Sequence, residues 1–240
     1  MKEAIRRQIR AQWKDWLVVT AVLPGVVIFG NILLFIIIHA SGEEIFPMGI
    51  LLGAVVFVIF GMLSSLGGTV SYFNMEVSMG STRWQFFLSH LLTDIGGMLL
   101  NLLWLMLLSV LERTLCGVLY PRAGSEELFA TAQGYLLRYG FAAVLLLSAV
   151  GCFCGALTLR FGRRATVVLW VLYMAGAIGV PNVFSAAEDA PDSFFGRLGS
   201  KLLSVAERVP GGLWVLLGAA LALVSLAGAW LLLRRQAVTA

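Results

Sequence analysis

The sequence predicts an all-α protein that crosses a membrane several times, with both termini in the cytoplasm. Hydrophobic residues make up 60% of the chain and charged residues 12%, which differs strongly from soluble domains. A bilayer core takes about 20 apolar residues per helix, and the apolar runs reach that length without the period-two alternation of barrel strands. We predict a single membrane domain over residues 1–240, with six spans at about 17–38, 48–73, 91–111, 139–160, 165–181 and 211–233.

The basic residues set the predicted orientation. If the N-terminus lies inside, the cytoplasmic segments carry 11 of the 17 Lys and Arg residues but only 4 of the 13 acidic ones. Short cytoplasmic loops are enriched in Lys and Arg, so this distribution favours both termini inside. The net charge of +4 then reflects topology and lipid headgroups, and a nucleic-acid partner is not expected. We expect a multi-pass protein of the plasma membrane, of bacterial type.

Residues 1–16 predict an amphipathic helix that lies in the headgroup plane. Tryptophans share one face at helical spacing, and cations occupy the other. Such a helix places its tryptophans at the lipid boundary and its cations near anionic lipid. A plain positively charged flank is the alternative. The residues assigned to this interfacial helix are Arg6, Arg7, Arg10, Trp13, Lys14 and Trp16.

Glycines and prolines predict where helices bend, end or approach closely. Pro24-Gly25 predicts a kink in the first span. Residues 112–138 are expected to form an outer loop, and residues 182–210 an outer amphipathic helical segment closed by Pro210. Small residues at spacing four favour close helix contacts, and such pairs occur at Gly49/Gly53, Gly151/Gly155 and Gly218/Ala222.

Polar residues within the spans are candidates for a translocation path, because burying them in lipid is costly. Asp94 and Asn101 lie close to one line along the third span, and Asn31 lies deep in the first. For Asn101 and Asn31 the alternative is a hydrogen bond between helices. For Asp94, as for Glu112 on the same span, the alternative is a position near a span end that water or headgroups reach. His39 and His90 fall at span ends, where we expect interfacial residues.

Sequence motifs of catalysis are absent. The chain has no Gly-x4-Gly-Lys-Ser/Thr loop for ATP, no His-Glu-x-x-His and no Gly-x-Ser-x-Gly. Its three cysteines have no ligand-spaced companions, so they are expected to pack as small hydrophobes. We therefore predict no catalytic residue, cofactor or metal ion in this chain.

Residues 74–90, NMEVSMGSTRWQFFLSH, form a polar and aromatic insert between two apolar spans. Met79-Gly80-Ser81 is typical of a helix end, and Ser81 or Thr82 could cap a new helix. We predict a short amphipathic helix at the cytoplasmic surface, with its aromatic residues facing the membrane or a partner groove. An ordinary re-entry turn is the alternative.

The string SMGSTRWQFFLSHLL resembles the small-Gly-x-Ser/Thr-Arg-x-x-Phe-Phe segment of type-2 ABC exporter permeases. In that family the segment is the coupling helix after the second span, and a separate ATPase subunit binds ATP and Mg²⁺. The resemblance implies an ABC ATPase partner, a second permease copy and an amphipathic drug, peptide or lipid-like substrate. It also implies ATPase contacts at Gly80, Ser81, Thr82, Arg83, Trp84 and Phe87.

Two other classes stay open. A non-transporting membrane sensor or immunity partner would have no ATPase partner. An ion-coupled secondary transporter would depend on Asp94 and Asn101. The leading expectation is the permease subunit, which carries no catalytic residues of its own.

Overall fold

The computed structural model describes residues 2–41, 46–119, 126–189 and 193–236, which form seven helices and no strand. Five of these helices are long and apolar enough to cross a membrane, namely α1, α2, α3, α4 and α7. The all-helical membrane class is therefore confirmed. The predicted span 165–181 lies on α5, outside these five, so a count of six is not confirmed. The helices are α1 (Lys2–Ser41), α2 (Met48–Ser78), α3 (Arg83–Leu119), α4 (Glu126–Phe161), α5 (Arg163–Asp189), α6 (Phe194–Arg208) and α7 (Gly211–Leu233).

Helices α1 to α4 form the central bundle. Helix α2 packs against α1, α3 and α4, and α3 packs against α1 and α4. Helix α7 packs mainly on α4, whereas α5 packs on α6 and otherwise touches only α4 within the described chain. The largest cluster of buried apolar side chains joins α1, α2, α3 and α4 around Leu23, Phe57, Leu105 and Val144.

Glycines allow two of the predicted close approaches. A Cβ added at Gly151 would stand 2.5 Å from the Ser65 Cβ, and one at Gly155 would stand 2.6 Å from the Thr69 Cβ. Because real Cβ atoms do not come so close, α2 and α4 meet here only through glycine. At Gly49 and Gly53, too, an added Cβ would come too close to atoms of neighbouring helices. By contrast, a Cβ at Gly218 would meet nothing within 4 Å, so the Gly218/Ala222 pair is not a close contact within this chain.

Helix α1 runs without interruption from Lys2 to Ser41, so the separate in-plane helix predicted over residues 1–16 is not confirmed. Pro24 lies inside α1. A proline lacks the N–H that would bond the carbonyl four residues earlier. The Trp104 indole N–H on α3 donates to that carbonyl, the one of Thr20, at 3.1 Å. A tertiary hydrogen bond therefore replaces the lost helical one.

The buried face of α1 near its N-terminus also differs from the prediction. Gln8 and Gln12 are buried, while Ile9 and Trp13 are 44% and 48% exposed. The glutamines pack inward because they find hydrogen-bond partners on α3, which hydropathy does not register. The exposed apolar side chains stay available to lipid, alongside the exposed Arg6, Arg10 and Lys14.

Three predicted segments are divided differently. Residues 74–90 are not a separate helix, because 74–78 end α2 and 83–90 begin α3. The loop expected over 112–138 is largely helical, as α3 extends to Leu119 and α4 begins at Glu126. Buried Cys116 and Phe129 pack together there, which stabilises both extensions. The outer amphipathic helix exists as α6, capped by Ser193, but residues 182–189 belong to α5.

Candidate functional site

The turn at residues 79–82 joins α2 to α3 through paired capping motifs. Gly80 has a φ of +87°, a conformation that favours glycine. The Gly80 and Ser81 N–H groups donate to the carbonyls of Val77 and Glu76, both at 3.1 Å, which is the Schellman pattern of a helix end. The predicted helix break at Met79-Gly80-Ser81 is therefore confirmed.

Thr82, one of the two predicted caps, begins the next helix. Its hydroxyl accepts from the Gln85 N–H at 3.2 Å, and the Gln85 side-chain oxygen accepts from the Thr82 N–H at 3.1 Å. This reciprocal pair is a capping box. The turn is thus fixed at both ends by its own residues and presents an ordered surface.

Ser81 connects the turn to α1 and α2. The Arg7 guanidinium donates to the Ser81 hydroxyl at 2.7 Å, and that hydroxyl donates to Glu76 Oε2 at 2.9 Å. Arg7 Nη2 also lies 3.4 Å from Glu76 Oε2. The Glu76 side chain is fully buried, whereas 39% of the Arg7 side chain is exposed. The N-terminal part of α1 therefore meets the end of α2 and the turn at one buried carboxylate, here called the Glu76 junction (Arg7, Glu76 and Ser81).

Arg83, Trp84 and Phe87 connect the start of α3 to the end of α7. The Arg83 guanidinium donates to the Arg234 carbonyl at 2.9 Å. Trp84 and Phe87 stack on each other and both contact the Trp230 ring, at centroid distances of 4.8 and 5.8 Å. Phe87 is 5% exposed and Trp84 is 47% exposed. Phe87 is thus a core residue and is not available to a partner.

Four chain segments assemble at this end of the bundle, here called the basic end: the α1 N-terminus, the 79–82 turn, the Gly162 turn and residues 234–236. Gln236 donates to the Leu159 carbonyl at 3.2 Å and ties the end of α7 to α4. One glycine with a φ of +60° separates α4 from α5, so the basic sequence at 160–164 is a tight turn. The exposed cations at the basic end are Lys2, Arg6, Arg10, Lys14, Arg160, Arg163, Arg164, Arg234 and Arg235.

Trp16, assigned from sequence to the interfacial helix, is half-buried. Its indole packs directly onto Gly97 of α3, where no larger residue would fit. Trp16 therefore holds α1 against α3, and of the two predicted boundary tryptophans only Trp13 is largely exposed.

The three predicted path residues lie at three separate helix contacts. Asn101 is buried and accepts from the Thr20 hydroxyl at 2.9 Å. Asn31 donates to the Val27 carbonyl at 2.8 Å within its own helix. Asp94 is buried on α3, 2% exposed. The Asn101 contact is a hydrogen bond between helices, and the structure does not bring the three together around one cavity.

His90, expected at an interface, is instead fully buried. Its Nδ1 lies 2.7 Å from Gln12 Nε2 and 3.2 Å from Gln8 Nε2, and its Nε2 lies 2.9 Å from the Thr69 hydroxyl. The ring stacks on Phe86. Sequence reasoning missed this site because the partners are distant in the chain. The spacing of Gln8 and Gln12, one helical turn apart among apolar residues, was the available signal.

Glu112 is a second buried carboxylate, although the sequence predicted a position near a span end that water or headgroups reach. It is 1% exposed, and its Oε1 accepts from the Gly49 N–H at 2.9 Å. Glu112 therefore caps the start of α2 from α3, where the positive helix end favours a negative group.

Comparison with protein-family models, curated proteins and solved structures finds no match to this chain. The all-helical membrane fold, the ordered 79–82 turn and the basic end are therefore the observations from which a function is inferred.

Proposed function

We propose that this chain is the membrane-spanning permease subunit of an ATP-driven ABC exporter that moves an amphipathic drug, peptide or lipid-like substrate. ATP and Mg²⁺ would bind a separate ATPase subunit, and a second permease copy would complete the pathway. The single observation that carries the proposal is the 79–82 turn, which is exposed at its tip yet joined to four helices. Such a turn suits the transfer of movement from a partner into the bundle.

The structure divides the six residues implied by the resemblance into two groups. Gly80, Thr82 and Trp84 are exposed and would contact the ATPase directly, together with Met79, which is 47% exposed. Buried or bonded side chains form the second group, which would transmit the movement of the turn inward. That group comprises Ser81, Arg83 and Phe87.

Movement of the turn would reach several helices at once. The Glu76 junction links it to α1 and α2, and the Arg83 hydrogen bond links it to α7. Displacing the turn without moving these helices would break hydrogen bonds around a fully buried carboxylate, which is costly. A rigid-body shift of the helices is the less costly response.

The charge of the basic end supports a partner of opposite sign. Its exposed cations come from the α1 N-terminus, the Gly162 turn and residues 234–235, and complementary charge speeds association and fixes orientation. Anionic lipid headgroups would neutralise the cations closest to the bilayer. We therefore expect an acidic groove on the ATPase, with an apolar pocket for Met79 and Trp84.

A charge placed at Met79 tests the proposal. Met79→Glu puts a carboxylate on the exposed turn. It leaves in place the hydrogen bonds that cap the end of α2, because backbone groups make them. Val118→Glu is the matched control, because Val118 is also exposed, at 75%, but lies near the far end of α3.

We expect Met79→Glu to weaken co-purification with the proposed ATPase subunit at least tenfold and to abolish substrate-stimulated ATP hydrolysis. Val118→Glu should leave both unchanged. Equal ATPase binding by the two variants would refute the assignment of the turn. Phe87→Ala is unsuitable, because removing a buried phenylalanine costs about 3–5 kcal/mol of stability.

A second candidate function, ion-coupled transport, rests on Asp94. Its Oδ2 is buried without a hydrogen-bond partner, and an incompletely bonded carboxylate inside a membrane bundle is a frequent proton or cation carrier. Flux that requires a proton gradient, persists without ATP and is lost in Asp94→Asn would favour this candidate over the permease.

A further inference from the structure

A groove between α1 and α3 opens on the side of the bundle, about 450 Å³ in volume. That volume falls within the usual range for small-molecule sites, about 300–1,000 Å³. Its walls are almost wholly apolar, and many of the wall side chains are exposed at the bundle surface. The residues that form the walls include Pro24, Ile28, Ile32, Leu111 and Leu115.

One carboxylate lies in this apolar groove. Glu112 lines it together with Asn31. Glu112 Oε1 is bonded to the α2 N-terminus, but Glu112 Oε2 is buried and has no hydrogen-bond partner among the described residues. In the part of the chain that the structure describes, the only ion pair joins Arg7 and Glu76. Glu112 therefore has no counter-charge from the described protein.

Capping α2 accounts for only one of the two carboxylate oxygens. An asparagine or glutamine side chain would supply the same single acceptor to the Gly49 N–H without burying a charge. A carboxylate brings a negative charge as well, next to walls that favour an apolar body. The two features together match a ligand with a cationic group on a hydrophobic frame.

We propose that the α1–α3 groove binds an amphipathic organic cation, with the Glu112 carboxylate as its counter-charge and the apolar walls holding its body. As a substrate site the groove rests on the proposed transport function. As a cation-binding site it stands without the ATPase, because Glu112 lies far along α3 from the 79–82 turn. A ligand would reach it laterally, from the apolar core of the bilayer.

Tetraphenylphosphonium and tetraphenylborate, which share one shape and differ in charge sign, are suitable probes. Binding is measured on the full chain in nanodiscs of phosphatidylcholine, without ATPase or nucleotide. The variants are Glu112→Gln, which keeps the acceptor for the Gly49 N–H, and Leu111→Trp, which narrows the groove and leaves the cap untouched. Val110→Trp is the matched control, because it adds the same bulk at an exposed position of α3 outside the groove.

We expect saturable phosphonium binding by the wild type and by Val110→Trp, at least tenfold weaker binding by both groove variants, and no saturable binding of the borate. The thermal midpoint of each variant shows whether it is folded. If a folded Glu112→Gln binds the phosphonium as well as the wild type does, Glu112 is only a helix cap and the proposal is wrong. Equal binding of phosphonium and borate would equally overturn it.

The outcome is separable from that of the transport proposal. Loss of ATPase binding in Met79→Glu with intact phosphonium binding would support both proposals. Phosphonium binding by a chain that has no ATPase partner would leave the groove assignment standing and remove its role as a substrate site.

Discussion

Removing the arginine of the Glu76 junction is expected to destabilise the protein more than removing both charges. Arg7 Nη2 and Glu76 Oε2 are 3.4 Å apart, which corresponds to about 5 kcal/mol of attraction at an effective dielectric of about 20. Because 39% of the Arg7 side chain is exposed, solvent screens much of that attraction. We therefore expect Arg7→Met to cost about 2 kcal/mol, chiefly by leaving a fully buried carboxylate unpaired.

Glu76→Gln removes the charge and keeps an acceptor for the Ser81 hydroxyl. The double variant Arg7→Met/Glu76→Gln should be less destabilised than the sum of the two single variants, by about 1.5 kcal/mol. Arg10→Met is the control, because Arg10 is exposed and in no ion pair among the described residues. It should change stability by no more than about 0.5 kcal/mol.

The assay is unfolding of the purified protein in mixed micelles titrated with a denaturing detergent, followed by tryptophan fluorescence. The free energies of the four proteins in the cycle give the coupling directly. Effects of the two single variants that add to within about 0.5 kcal/mol would refute a coupled pair at the junction. In that case the turn would depend on its own caps alone.

Three further outcomes follow from the helix contacts. Gly151→Ala should cost about 1–3 kcal/mol in the same assay because its Cβ would overlap α2, whereas Gly67→Ala, which meets nothing within 4 Å, should not destabilise. Trp104→Phe should lower the free energy of unfolding by about 1 kcal/mol, because the Thr20 carbonyl would lose its hydrogen bond. An unchanged free energy would show that water bonds this carbonyl instead. Thr82→Ala should cost about 1 kcal/mol through loss of the α3 cap, and Thr82→Ser should restore it.

The sequence sufficed for features that depend on local chemistry. Apolar length predicted the membrane helices, and Gly80 with Thr82 predicted a break and a cap between two of them. Glycines at spacing four predicted the α2–α4 contact at Gly151 and Gly155. Each of these depends on residues adjacent in the chain or on one helix face, so the pattern alone carries the information.

Features that depend on distant partners were not predictable. Gln8 and Gln12 pack inward because His90 lies opposite, 82 and 78 residues away in the chain, respectively. Hydropathy treats all three as surface residues. Phe87 was assigned to a partner through the family resemblance, yet the Trp230 ring covers it. A buried polar pair cancels its own cost of burial, which no property of a single residue reveals.

The separation of α1–α4 from the later helices has a consequence for biogenesis. Every contact of the central bundle is complete within the first 161 residues, while α5 and α6 contact each other and otherwise only α4. The bundle can therefore assemble while the ribosome is still producing α5 and α6. Helix α7 then packs on α4, and the Arg83 hydrogen bond to the Arg234 carbonyl forms last. The exposed turn therefore reaches its final form only after residue 234 has been synthesised.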